Sequence, residues 1–355
     1  MIDLSLPRLT CSWKLAGTKT FRLSAAALFR RKGIKGIAPE FKGWGTNFTN
    51  WEKKLRKYII ADPGMVLCQR DQSGAEALIV AHLAKKGKYR ALFDNKIKPH
   101  TYVAASLFKP TWKEIMGHSI DDVFTSKIEE LKSVPYWSEL SGLIKDSDNW
   151  PNKEFPKGKR YYYLGKKTCH ASNYEMGGRT LATSILKETG ATIRLSPVEA
   201  QTFIDTYRKN LFPEISFWQE ATKERVRTAH VLKNLFGYPR QFFGPFSPEC
   251  FRDAISWVPQ STVGVITHIA ITKYEQFVHE NKLNWDVLNC GHDSFLTQCP
   301  SDEWEDNLKV MGDCLNQTLL SPWGETFQMK SEGQVGENWA PYDEQYNPTG
   351  LKEVK

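Results

Sequence analysis

A short apolar run that closes on an acid constrains this chain more than any other feature. Residues 65–70 read as a strand, Asp71 sits at its end, and residues 75–85 then show the apolar spacing of a helix. A strand passing directly into a helix holds the acid rigidly and leaves backbone carbonyls beside it. That suits a metal ligand, and it is also a common place for a helix cap. Glu76 follows in the first turn of the helix.

A second acid has a similar setting. Residues 286–290 and 295–298 read as strands around the turn Gly291-His292-Asp293-Ser294. Asp and Gly are ordinary turn formers. The apolar flank Val287, Leu288, Phe295 and Leu296 would bury the hairpin and hold its tip still. Two carboxylates on neighbouring strands suit two Mg²⁺ ions, which favour hard oxygen ligands. Such ions about 3.5–4 Å apart can activate a hydroxyl and stabilise a leaving pyrophosphate.

A third constellation lies between them. Lys166, His170 and Tyr174 recur every four residues, so a helix over 166–176, closed by Gly177-Gly178, puts them on one face. Cations there suit a triphosphate, and the aromatic ring suits a base. An amphipathic surface helix with solvated lysines has the same pattern.

Further helices are expected at 197–210, 213–232 and 260–282, a hairpin at 235–243, and short helices and loops over 111–160. Helices outnumber strands, which predicts an α+β protein with a small antiparallel sheet. The 355 residues, 41% apolar, allow one large domain or two. A charged fraction of 25% excludes wholesale disorder. No apolar run of roughly 18–20 residues stands out, so no membrane span is expected. Met1-Ile2-Asp3-Leu4 does not open like a secretory signal. Seven cysteines without a C-x-x-C pair favour a reducing, cytoplasmic setting over zinc or disulfides. A net charge of +8 mildly favours a polyanionic partner.

In order and spacing, the three constellations resemble motifs A, B and C of family A DNA polymerases, the bacterial DNA polymerase I type. Asp71-Gln72-Ser73-Gly74-Ala75-Glu76 is similar to D-Y-S-Q-I-E, and Leu78-Ile79-Val80-Ala81-His82-Leu83 to L-R-I-L-A-H-L. Pro99-His100-Thr101 and Ala104-Ala105-Ser106-Leu107-Phe108 resemble D-I-H-x-x-T-A-A-x-V-F. Lys166, His170 and Tyr174 fall on R-x3-K-x3-F/Y-G, with Glu175 in place of the Gly. Leu235-Phe236-Gly237-Tyr238-Pro239-Arg240 resembles T-x-x-G-R-R, and Arg252, Ser256 and Gln260 resemble R-x3-N-x3-Q. Gly336-Glu337-Asn338-Trp339 is similar to a closing G-x-N-W, Thr20–Ser24 to T-G-R-L-S, and Asn47–Asn50 to N-L-Q-N. His292-Asp293-Ser294 stands where the family has HDE. The resemblance covers roughly residues 18–340.

The resemblance implies template-directed transfer of dNTPs to a primer 3′-hydroxyl in viral DNA replication, a bacteriophage being the expected source and the host cytoplasm the compartment. Asp71 and Asp293 would be catalytic and ligate both Mg²⁺ ions, with the Gln72 carbonyl completing one of them. Ser73, Gly74, Glu76, His100, Lys166, His170 and Tyr174 would form the nucleotide site. Glu76 would reject a ribose 2′-hydroxyl, and Tyr174 would stack on the base or sugar. Arg22, Asn47, Asn50, Arg252, Gln260 and His292 would contact primer–template DNA. The implied architecture is a palm over 1–84 and 250–355, carrying motifs A and C, with helical fingers over 85–249. The thumb and any 3′–5′ exonuclease fall outside the resemblance, so a partner chain supplying them is expected as a possibility. Two alternatives stand beside this reading. His292-Asp293-Ser294-Phe295 resembles the H-D-S-F of single-subunit phage-type RNA polymerases, against which Glu76 argues. The chain also fits a non-catalytic nucleic-acid-binding subunit of a split polymerase.

Overall fold

The computed structural model describes residues 12–14, 18–20, 24–26, 53–147 and 160–354. Strands β1 (Ser12–Lys14) and β2 (Ser24–Ala26) pair antiparallel. After a 3₁₀ turn at Lys53–Tyr58 come β3 (Met65–Gln72) and α1 (Ala75–Leu83). A helical region follows: α2 (Lys88–Asp94), α3 (Pro99–Leu107), α4 (Lys109–Met116), α5 (Asp122–Thr125), α6 (Trp137–Asp146), α7 (Tyr161–Asn173), α8 (Gly178–Glu188), α9 (Pro197–Asp205) and α10 (Pro213–Ala229). The hairpin β4 (Val231–Lys233) and β5 (Pro239–Gln241) leads to α11 (Pro248–Asn281). The chain ends with β6 (Asp286–Cys290), β7 (Ser294–Pro300), α12 (Trp304–Leu315), β8 (Thr318–Leu320), β9 (Thr326–Gln328), β10 (Ser331–Gly336) and β11 (Lys352–Val354). This is the α+β architecture expected.

The central sheet has the order β11-β10-β3-β7-β6, antiparallel throughout. Side chains alternate across a strand, and β3 is covered on both faces. Cys68 faces a core with Phe295, Met311 and Tyr274 from β7, α12 and α11. Leu67 faces a smaller cluster with Leu296, Trp339 and Leu351. Asp71 shares the Leu67 face and lies opposite Ser294 in register. A one-residue slip would turn Asp71 into the core under α11 and α12.

The helical region has its own core, including Tyr89, Tyr102, Trp112, Tyr207 and Phe212. Helix α1 joins the two cores: Ile79 and Leu83 pack in the sheet core, Val80 and Ala81 in the helical one. Helix α10 does the same with Val226 and Ile215.

Several boundaries differ from expectation. Helix α7 begins at Tyr161 and ends at Asn173, before the glycine pair. Gly177 instead caps α8. A Cβ on Gly178 would lie 2.5 Å from the Pro197 carbonyl, so glycine there permits the close approach of α8 and α9. The 197–210 helix turns π-helical at Thr206–Leu211. The hairpin strands sit at 231–233 and 239–241, either side of the expected start. Helix α11 starts twelve residues earlier than the expected 260, running through Pro259 for 34 residues. It is long and apolar enough by composition to cross a membrane, contrary to the sequence reading, and 72% of its most apolar window is buried within the protein. A helix apolar on all sides is what the middle of a large core requires.

Candidate active site

The two acids meet at the end of the sheet. The turn 291–293 is closed by Gly291 N–H donating to Ser294 O at 2.7 Å. Gln72 N–H donates to Asp293 O at 2.8 Å, which ties the end of β3 to this tip. The Gln72 side chain donates to Thr267 Oγ1 at 2.9 Å, and Thr267 donates in turn to Val263 O at 3.1 Å and lies 3.2 Å from His292 O. The long helix therefore braces both acid-bearing segments from beneath. The N-cap of α1 is Gly74, at φ 60, three residues beyond Asp71. The cap reading of Asp71 is set aside, and the left-handed turn explains why glycine stands there.

Asp71 opens into a cavity of about 220 Å³ that Asp293, His292, Arg56, Gln69 and Trp339 also line. Solvent reaches the carboxyl, yet neighbouring protein crowds it. Desolvation, then the charges of Asp293 and Glu332, push its pKa up to about 7, against the pull of Lys166. Two carboxylates that line one cavity offer hard oxygen ligands to a divalent cation. Among the described residues no group of three or more His, Cys, Asp or Glu side chains converges on a metal position. The donor set is two carboxylates plus backbone carbonyls, which fits an ion that keeps water and phosphate ligands.

Lys166, His170 and Tyr174 do follow one another along α7 and its end. Lys166 is exposed, and its charge acts on Asp71, His100 and His170. The His100 and His170 rings stack at 6.3 Å. Burial, then His170 and Lys166, lower His100 to about 3, and desolvation lowers His170. His100 is therefore neutral at neutral pH and His170 is shifted the same way, which leaves Lys166 as the standing cation of this trio. Lys167 is instead paired with Glu188 of α8. Tyr174 donates from its hydroxyl to Glu76 at 2.5 Å, linking α7 to α1. Ser73 lies in the β3–α1 turn, its N–H donating to Lys330 O at 2.8 Å.

Gly165 explains how α7 comes so close. A Cβ there would sit 2.5 Å from His100 O and 3.0 Å from Ala104 Cβ, so only glycine allows this crossing with α3. The end of α7 is held by buried polar groups. Asn173 donates to Tyr89 at 3.1 Å and accepts from Tyr207 at 2.7 Å. Gln219 Nε2 donates to Ser172 O and Asn173 O, satisfying carbonyls that a helix end leaves open.

Arg252, Ser256 and Gln260 share one face of α11, as their spacing required. With Tyr174, Lys19, Arg240 and Phe243 they line a cleft of about 690 Å³. Arg22, Asn47 and Asn50 lie outside the described residues. Arg56, Trp339 and Gln69 were not among the sequence candidates. Trp339 donates to Gln69 Oε1 at 2.7 Å, and Arg56 lies 4.3 Å over its ring. The Gly336–Trp339 motif was the available signal.

A family model described as DNA polymerase family A matches residues 151–341, more than half of the chain. The chain belongs to DNA polymerase family A. This family A chain is 29% identical over 144 residues to a DNA polymerase of Bacillus phage SP01, covering 39% of the chain and 15% of the relative. It is 22% identical over 270 residues to the mitochondrial DNA polymerase I B of Oryza sativa subsp. japonica, covering 74% and 24%. It is also 22% identical over 257 residues to the DNA polymerase I of Caldicellulosiruptor bescii, covering 71% and 24%. The chain thus spans a quarter or less of these relatives. Its fold matches the POL domain of Pol1 from M. smegmatis, solved with DNA primer-template and dNTP, at a TM-score of 0.64 and 14% identity, covering 94% of the chain and 48% of that structure.

Proposed function

We propose that this chain carries the nucleotidyl-transfer centre of a template-directed DNA polymerase. The observation that carries the reading is the convergence of Asp71 and Asp293 on one cavity, with the Lys166 charge acting on Asp71. Residues 1–84 and 250–355 are assigned to the palm and 85–249 to the fingers, with the acids in the palm and α7 in the fingers. Asp71, Asp293 and the Gln72 carbonyl would hold two Mg²⁺ ions, which when bound supply Lewis-acid activation of the primer hydroxyl and neutralise charge on the leaving group.

The remaining roles follow from the chain's own groups. Lys166 attracts the triphosphate, and His170 and His100 offer neutral ring nitrogens beside it. The Glu76 carboxylate, held by Tyr174, occupies space against the sugar and disfavours a 2′-hydroxyl. The cleft beside Tyr174 presents Lys19, Arg240 and Arg252, cations that suit a phosphate backbone, and such contacts position a duplex without reading it.

Primer extension by the purified chain with Mg²⁺ and either dNTPs or rNTPs tests this, beside Asp71→Asn. Extension with dNTPs, lost in the variant, is expected, because phosphoryl transfer depends on charge placement. Equal use of rNTPs would favour the RNA polymerase alternative and remove Glu76 from its role. Normal extension by Asp71→Asn would overturn the site assignment. Extension only after adding a thumb-bearing chain would support the split-enzyme form.

A further inference from the structure

The residue after Tyr174 is an acid that the reaction above does not use. Glu175 has φ 54, in the left-handed region that favours glycine, where the motif this segment resembles has glycine. An unpaired carboxylate beside a triphosphate site would oppose an anionic ligand. The Glu175 side chain is nevertheless only 13% exposed, and it is paired twice. Its Oε1 accepts from Lys223 Nζ at 2.6 Å and from Arg208 Nη2 at 3.1 Å. Lys223 lies on α10 and Arg208 in the π-helical turn before it. Gln219, one turn before Lys223 on α10, holds the carbonyls of Ser172 and Asn173. Tyr174 therefore sits between two grips from α10 and its preceding turn, while its hydroxyl reaches Glu76 on α1.

We propose that Glu175 is a positioning residue that acts through Tyr174. Its ion pairs with Lys223 and Arg208 fasten the left-handed turn after α7 to α10, and this fixes where the Tyr174 ring meets the incoming nucleotide. The charge of the carboxylate is spent inside the protein rather than on the triphosphate. A glycine at this position would leave the turn free to change; the ionic anchor holds one conformation. The proposal rests on the polymerase reading.

The test compares single-nucleotide incorporation by wild type and Glu175→Gln, each also in a Tyr174→Ala background. Hydrogen exchange of the 172–176 amides is measured on the same proteins. Glu175→Gln should raise the KM for dNTP about 5–10-fold, with kcat within about twofold, because two ion pairs become hydrogen bonds from cations to a neutral amide. Exchange at 172–176 should rise about tenfold in the same variant. In the Tyr174→Ala background the KM effect should shrink to less than about twofold. An equal KM effect without Tyr174 would mean general destabilisation and overturn the proposal, as would an unchanged KM. No extension by wild type either alone or with a thumb-bearing chain, together with raised exchange in Glu175→Gln, would sink the polymerase reading and leave the anchor supported. Unchanged exchange would overturn the anchor whatever the activity.

Discussion

Asp71 shows at the residue scale what a paired-acid site costs. Folding raises its carboxyl from the ordinary aspartate value to about 7, through desolvation and the neighbouring Asp293 charge. The folded state therefore holds this proton over a range where the unfolded chain has released it. Stability is lost as pH rises from about 4 to about 7 and stays lost above. Asp71→Asn should accordingly raise the melting temperature of the metal-free protein at pH 8 by on the order of 1–2 °C, a figure kept small because water reaches the carboxyl. The gain should disappear below pH 4. Calorimetry of both proteins without divalent ions checks this, and a variant less stable than wild type at pH 8 would refute it. The same residue needs its proton removed to take a cation, so Mg²⁺ affinity should climb with pH through 7.

At the scale of elements, the proposed nucleotide side depends on the placement of α7. The helix carries Lys166 and His170, and its crossing with α3 exists only because residue 165 has no Cβ. Gly165→Ala would force the Cβ against a backbone carbonyl and another Cβ, neither of which can move alone. The expected destabilisation is about 1–3 kcal/mol, read by urea unfolding. A shift of α7 would also separate Lys166 from Asp71, so the KM for dNTP should rise with it. Gly142, on α6, has open space where a Cβ would go. Gly142→Ala is the control expected to leave both quantities alone or to stabilise slightly.

The whole molecule combines a net charge of +8 with a cleft along the first turns of α11. Lys19, Arg240 and Arg252 line it beside Glu249 and Asp253, and Asp253 takes up part of the positive charge by pairing with Lys19 and Arg240. Binding of primer–template DNA should release counterions, so affinity should fall about 10²-fold between 50 and 200 mM salt for roughly four phosphate contacts. Arg252→Ala should lower the logarithmic salt slope by about one. Fluorescence anisotropy of labelled duplex measures both, and a flat salt response would show that the cleft is not the DNA surface. The sheet core and the helical core share α1 and α10, so mutations in either helix should affect both ends of the site.

Much of this was legible in the sequence because short-range rules governed it. The run ending at Asp71, the turn at Gly291–Ser294 and the four-residue spacings of Lys166, His170 and Tyr174 and of Arg252, Ser256 and Gln260 each depend on local geometry. Periods of two and 3.6 residues fix which side chains share a face. What escaped were properties set by distant chain. Helix α11 runs back through Pro259 because the core surrounds it, overriding the proline signal. The strand register that turns Asp71 toward Asp293, rather than into the core, is a pairing across more than two hundred residues. Arg56 and Trp339 join the cavity from opposite ends of the sequence. Glu175 was anomalous in its motif and became intelligible only once Arg208 and Lys223 were seen beside it. The sequence by itself determined the elements and the chemistry they carry; the tertiary structure decided pairings and protonation, because burial and charge proximity depend on neighbours remote along the chain.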